Sequence, residues 1–248
     1  MTLPTGRDAL ADGETVAMEK PKSDLPVRLA SALVMLAILG VALWFNNPYK
    51  MWLIVIVASI CFVEFVLLVT KATQNVPFRL AGILAGAVYI GLAGVTMVSL
   101  PLQAFGAAIG VVVFTDVFAY FAGRAIGGPK IAPKISPSKT WAGLIGGMIG
   151  AAIFVTGLAM VHFSIGGYTV GDMMAELQAE FAAIIGLGAG LAVLAQCGDF
   201  FESWLKRKAG VKDSSKIIPG HGGVFDRIDG LLPVSIVIGA LANAAGMV

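Results

Sequence analysis

Seven stretches of this chain are each long and apolar enough to cross a bilayer, and that limits the fold more than any other feature. A spanning helix needs about 20 mainly apolar residues. Runs near that length cover Val27 to Phe45, Met51 to Thr70, Leu80 to Leu100, Leu102 to Ala122, Gly143 to Phe163, Phe181 to Cys197 and Leu231 to Val248. Within lipid every backbone polar group must find its partner inside the protein, so such runs fold as helices. With 58% apolar and 13% charged residues, the 248-residue chain has too little polar surface to cover a water-soluble globule. The expected fold class is all-α, a polytopic integral membrane helical protein of about seven spans, with Ser99, Leu100 and Pro101 forming a tight hairpin between the third and fourth.

Charge placement orients the spans, because cytoplasmic loops carry the excess of Lys and Arg. With the N-terminus inside, sixteen of the seventeen bases fall in cytoplasmic segments and Lys50 alone falls outside. Adding or removing one span would flip every later loop. The outer segment from Ser164 to Glu180 holds Asp172, Glu176 and Glu180 and no base. The expected topology is therefore N-terminus in and C-terminus out.

The organisation that follows is a disordered cytoplasmic tail over residues 1–26, N-terminal membrane spans over 27–100, and a second membrane domain over 101–248 with cytoplasmic loops 123–142 and 198–230. The mixed charge of the tail, together with its Pro, Gly, Ser and Asp, suits a solvated segment, and no cleavable signal peptide is read there. Cys61 and Cys197 lie in apolar runs and form neither a disulfide framework nor a thiolate metal site. No internal repeat marks a solenoid.

Two acids lie within spans, where a charge is costly enough to raise a functional question. Glu64 is six residues before Thr70, roughly 9 Å below the end of its helix. It is expected mainly as an interhelical ion pair or an acid reaching for the interface. Asp116 shares a helical face with Tyr120 and Arg124 at i+4 and i+8.

The last cytoplasmic loop, GDFFESWLKRKAGVKDSSKIIPGHGGVFDRIDG, packs six bases and five acids into residues 198–230. If the preceding helix continues past the membrane surface, Asp199, Ser203 and Lys206 share a face, and Asp226 and Asp229 share one if the last helix starts early. Carboxylates beside bases suit phosphoryl or nucleotidyl transfer, because Mg2+ binds through one or two carboxylates plus substrate phosphates. Glycines around His221 allow close backbone approach to a ligand, although taken alone the segment is better accounted for by a simple turn. The other basic loop, GRAIGGPKIAPKISPSKTW, is Pro- and Gly-rich and therefore non-helical, and its Lys130, Lys134 and Lys139 can grip a triphosphate, a lipid phosphate or anionic headgroups.

These residues resemble the phosphatidate cytidylyltransferase (CDP-diacylglycerol synthase) family. Its long motif is met by Ser203, Lys206, Arg207, Lys212, Asp213, Pro219, His221, Gly222, Gly223, Asp226, Arg227 and Asp229. A second recurrent segment is matched by Asp116, Ala119, Tyr120, Gly123, Arg124, Pro133, Ser136, Pro137, Lys139, Thr140, Trp141, Gly143, Gly146 and Gly147. The resemblance covers residues 116–230; earlier spans match only in hydrophobicity, and family members commonly have more of them.

What it implies is a catalytic membrane domain over 101–248 in the cell inner (plasma) membrane with the active site facing the cytoplasm, CTP and phosphatidate as substrates, Mg2+ as cofactor with K+ in at least some members, a bilayer as partner, a homodimer as one assembly, and no nucleic acid. It implies metal binding by Asp199 and Asp226, with Asp229 and Asp213 as further contributors. Lys206, Arg207, Lys212, Asp213, His221 and Arg227 are the expected catalytic set. Asp116, Tyr120, Arg124, Ser136, Lys139, Ser203, Gly222 and Gly223 are the expected substrate-binding set. The alternatives are a CTP-dependent polyprenol or lipid kinase and, in a different class, a membrane transporter running through Glu64 and Asp116. The transporter reading leaves the dense loop unexplained. A CDP-alcohol phosphotransferase is set aside, because Asp229-Gly230 continues as Leu231-Leu232-Pro233-Val234.

Overall fold

The computed structural model describes residues 25–247; the expected tail, save its last two residues, lies outside the described residues. Helices α1 (Leu25–Phe45), α2 (Tyr49–Ala72), α3 (Val76–Ser99) and α4 (Leu102–Ala125) follow one another through short turns. A two-stranded hairpin, β1 (Lys130–Ala132) and β2 (Ser136–Thr140), then leads directly into α5 (Trp141–Ile165). The chain closes with α6 (Val170–Ala179), α7 (Phe181–Lys208), the single turn α8 (Phe225–Ile228) and α9 (Leu231–Ala244).

Six of these helices, α1 to α5 and α7, are long and apolar enough to cross a membrane. The chain is thus a multi-pass helical membrane protein. The seventh apolar run is helical over only 14 described residues, roughly 21 Å, short of a hydrocarbon core of about 30 Å. The acidic segment between α5 and α7 is a helix of its own, α6, started by a capping box between Thr169 and Asp172.

Lipid tails are as apolar as leucine, so helix association in a bilayer depends on close packing of small residues. Helix α5 presents Gly143, Gly146, Gly147 and Gly150 to α4. A Cβ added at Gly146 would overlap the Ala122 methyl and stand 2.9 Å from the Phe118 carbonyl oxygen. The two backbones therefore pack almost in contact. A second core joins α2, α3, α7 and α9 around Phe65, Ile90, Met97, Phe225 and Leu232.

The helix ends sort onto two sides. Lys50, at the start of α2, is 2% exposed and donates to the Leu100 carbonyl at the end of α3, 2.5 Å away, where that helix has unpaired acceptors. At the opposite end, Ser31 of α1, Glu64 of α2 and the end of α7 all meet the segment between α7 and α9. Arg79 of α3 bonds the Thr70 and Thr73 carbonyls at that same end.

Candidate active site

Helix α7 runs for 28 residues, roughly 42 Å, so its last turns extend past a hydrocarbon core. That extension places Asp199, Ser203 and Lys206 on one face, and the Ser203 hydroxyl donates to Asp199 at 3.3 Å. Gly198 permits the neighbouring contact: a Cβ there would overlap the Asp229 carbonyl, so only glycine lets α7 approach the junction of α8 and α9.

Across from this face stand the end of α4 and the β-hairpin. Thr140 caps α5 by accepting from the Gly143 N–H at 3.0 Å, which fixes where strand β2 ends and turns Lys139 toward α7. Lys139 Nζ lies 2.5 Å from Asp199 Oδ2, and Arg207 Nε donates to the Ile135 carbonyl at 3.2 Å. Arg124 donates to the Tyr120 hydroxyl at 2.8 Å.

These elements enclose a cavity of about 850 Å³. Its acids are Asp116, Asp199, Glu202, Asp213, Asp226 and Asp229. Its bases are Arg124, Lys130, Lys139, Lys206, Arg207, Lys212 and Arg227, and Tyr120 and Ser203 complete the expected set found there. Four expected residues are not in the cavity wall. Ser136 is buried in the hairpin. His221 Nδ1 pairs with the Ser31 hydroxyl at 2.8 Å, and that hydroxyl also donates to the Pro219 carbonyl at 2.9 Å. Gly222 and Gly223 face carboxylates of the protein: a Cβ on Gly222 (φ 83°) would stand 2.9 Å from Asp226 Oδ2, and one on Gly223 would collide with Ser214 and Glu64.

The acids divide by their partners. Asp226 Oδ2 accepts from the Ser214 N–H (2.9 Å), the Ser214 hydroxyl (2.7 Å) and the Gly223 N–H (2.8 Å), while Oδ1 lies 2.5 Å from Lys206 Nζ. Burial pushes the Asp226 carboxyl up, but its bonds to Glu202, Lys206, Ser214 and Gly223 outweigh burial and hold it below the usual carboxylate range. Asp229 is the opposite case. Burial, with the Asp199 charge next and Asp116 further off, pushes it up to about 7 against the Gly230 N–H and Lys139.

Glu202, Gln196 and Thr140 are among the cavity residues that were not expected as site residues from sequence. Glu202 is buried and pairs with Lys206 at 2.5 Å through Oε2, while Oε1 has no partner. Gln196 is 3% exposed, with its Nε2 unpaired at the cavity wall. Thr140 lies at the hairpin's end. Glu202 had a signal, as an acid four residues before Lys206 on a helix, and Thr140 stands in the second recurrent segment. Glu64, outside the cavity, forms no ion pair among the described residues and accepts hydrogen bonds from the loop instead.

Fold and cavity together define a multi-pass membrane protein with a charged cavity at one end of its helical bundle. The model of the cytidylyltransferase family matches residues 102–244. A phosphatidate cytidylyltransferase of Rickettsia bellii is 33% identical over 222 residues, 88% of this chain and 91% of the relative. One of Brucella melitensis is 45% identical over 124 residues, 50% of this chain and 41% of that relative. One of Thermotoga maritima is 42% identical over 142 residues, 54% of this chain and 50% of that protein. The matched stretch thus spans about half or less of the Brucella and Thermotoga relatives. The chain belongs to the cytidylyltransferase family.

Proposed function

We propose that the protein joins the cytidylyl group of CTP to phosphatidate, releasing pyrophosphate and leaving CDP-diacylglycerol in the bilayer. The observation that carries this reading is the cavity itself. It gathers seven bases and six acids from α4, the hairpin, α7 and the α7–α9 segment at one end of a membrane bundle. There a soluble triphosphate and a lipid phosphate can meet. Relatives matching over this region are named phosphatidate cytidylyltransferase.

A phosphate monoester has its second pKa near 6, so the lipid phosphate is largely dianionic at neutral pH and needs no strong base. Its oxygen attacks the α-phosphorus of CTP, the bond from that phosphorus to the bridging oxygen breaks, and pyrophosphate leaves. Catalysis then consists of positioning and charge neutralisation. Lys206, Arg207, Lys212 and Arg227 offset charge on the α-phosphate and the leaving group. Lys139 and Arg124, on the facing wall, bind the nucleotide or the lipid phosphate.

The donor set fits a divalent cation brought with the nucleotide. Asp116, Asp199 and Asp229 share the cavity and their mutual repulsion contributes to the raised Asp229 carboxyl. Among the described residues no group of three acidic, His or Cys side chains could hold a metal ion by itself; Mg2+ binds through one or two carboxylates plus substrate phosphates. Asp199 and Asp229 would hold it, and Asp226 would join them on giving up Lys206. When bound, the ion would neutralise triphosphate charge.

We propose further that the cavity end of the bundle faces the cytoplasm and that the protein lies in the inner membrane. Arg79, Arg124 and the bases of both loops lie at that end, and Lys50 lies at the other, as the excess of cytoplasmic bases requires. The decisive experiment incubates detergent-purified protein with phosphatidate, Mg2+ and CTP labelled at either the α- or the γ-phosphate. Label from the α-position should enter the lipid phase and γ-label should leave as pyrophosphate. Transfer of γ-label to lipid would establish a kinase instead.

A further inference from the structure

Every residue lining the charged cavity lies between Asp116 and Asp229, yet the segment carrying Lys212, Asp213 and Asp226 is held by a residue far upstream. Glu64 of α2 is 1% exposed. Its Oε1 accepts from the Ser215 hydroxyl at 2.5 Å and the Val224 N–H at 3.1 Å. Its Oε2 accepts from the Phe225 N–H at 2.7 Å and lies 3.1 Å from the Ser214 hydroxyl. That hydroxyl has a single proton and also stands 2.7 Å from Asp226 Oδ2, so it bridges the two carboxylates. The next residue, Phe65, packs its ring edge-on against Phe225, with centroids 5.9 Å apart.

We propose that Glu64 is a positioning residue for the transfer reaction. By binding the Val224 and Phe225 N–H groups and Ser215, it fixes the α7–α9 segment so that Asp226 and Lys212 face the cavity. The inference rests on the proposed activity for its catalytic consequence but not for its structural one. The N-terminal helices thereby complete a site whose wall they do not line.

The pattern of donors makes a sharp test. Each oxygen of Glu64 faces one backbone N–H, and a backbone donor cannot rotate away. In Glu64→Gln, whichever way the amide turns, its NH2 meets a donor, so one buried N–H loses its acceptor. Glu64→Asp is smaller but keeps two acceptor oxygens. If Glu64 served only as packing, the isosteric Gln would be tolerated and the shorter Asp would not. Positioning through hydrogen bonds gives the reverse order.

The experiment measures hydrogen exchange by mass spectrometry and CTP-dependent lipid labelling on the full-length protein in detergent, for wild type, Glu64→Gln, Glu64→Asp and Ser215→Ala. Glu64→Gln should speed exchange over residues 213–226, with the spanning helices still protected, and lower kcat by about tenfold or more. Glu64→Asp should retain more activity than Glu64→Gln. Ser215→Ala, which leaves both backbone bonds, should show a smaller local change in the same direction. Unchanged exchange over residues 213–226 in Glu64→Gln, or an activity order with Gln above Asp, overturns the proposal. If Glu64→Gln does not fold, an unchanged loop in Ser215→Ala overturns it. If the wild type labels no lipid, the proposed activity fails while the exchange data still decide whether Glu64 holds the loop.

Discussion

Lys139 of the hairpin and Asp199 of α7 form an ion pair with Nζ 2.5 Å from Oδ2, joining two walls of the charged cavity. Their side chains are 22% and 28% exposed. A pair that water still reaches contributes on the order of 1 kcal/mol. It is therefore readily exchanged for a phosphate on the lysine.

Lys139→Ala should raise the KM for CTP by about tenfold, the loss of one charge-assisted contact, with little change in thermal stability. Lys139→Arg should recover part of the affinity. Steady-state labelling of phosphatidate over a range of CTP concentrations measures both.

Asp226→Asn should remove most transfer activity, by about a hundredfold or more, because the new NH2 meets either Lys206 or the N–H groups of Ser214 and Gly223. The protein should still insert and purify as wild type. Near-normal turnover in this variant would remove Asp226 from the mechanism.

Lys206→Met leaves two carboxylates, Glu202 and Asp226, without their shared cation in a site where they are only 2% and 5% exposed. Losing one partner of a buried pair costs about 3 kcal/mol. Thermal unfolding in detergent should show a clear fall in Tm, and adding Glu202→Gln should restore part of it. An unchanged Tm in the single variant contradicts this account.

Gly146→Leu tests the close approach of α4 and α5. The side chain would meet Ala122 and the Phe118 carbonyl, and overpacking of this kind costs about 1 to 3 kcal/mol. Lower Tm with an unchanged KM for CTP is the expected result. A loss confined to activity would mean the contact shapes the cavity instead.

Much of the site was legible because its residues come from two short segments with informative spacing. Asp199, Ser203 and Lys206 are separated by helical intervals, and α7 does continue far enough to align them. What spacing could not show is which partners each acid takes. Asp199 and Asp226 look equivalent as sequence, yet Asp199 meets the side chains of Lys139 and Ser203, while Asp226 takes Lys206 on one oxygen and Ser214 and Gly223 on the other. His221 and the glycines after it sit in the same motif but turn toward Ser31, Asp226 and Glu64.

By itself, the order of residues determined a helical membrane protein, because apolar runs of about 20 residues in lipid can satisfy their backbones only as helices. It also determined one charged end, because bases cluster in alternate loops. The tertiary structure alone decided the partners. Glu64 meets Ser214 across 150 residues, and Lys206 meets Asp226 across 20 through a turn no periodicity describes. Local patterns report which face of an element is apolar, while contacts between distant elements depend on how closely helices pack, here on glycines such as Gly146 and Gly198.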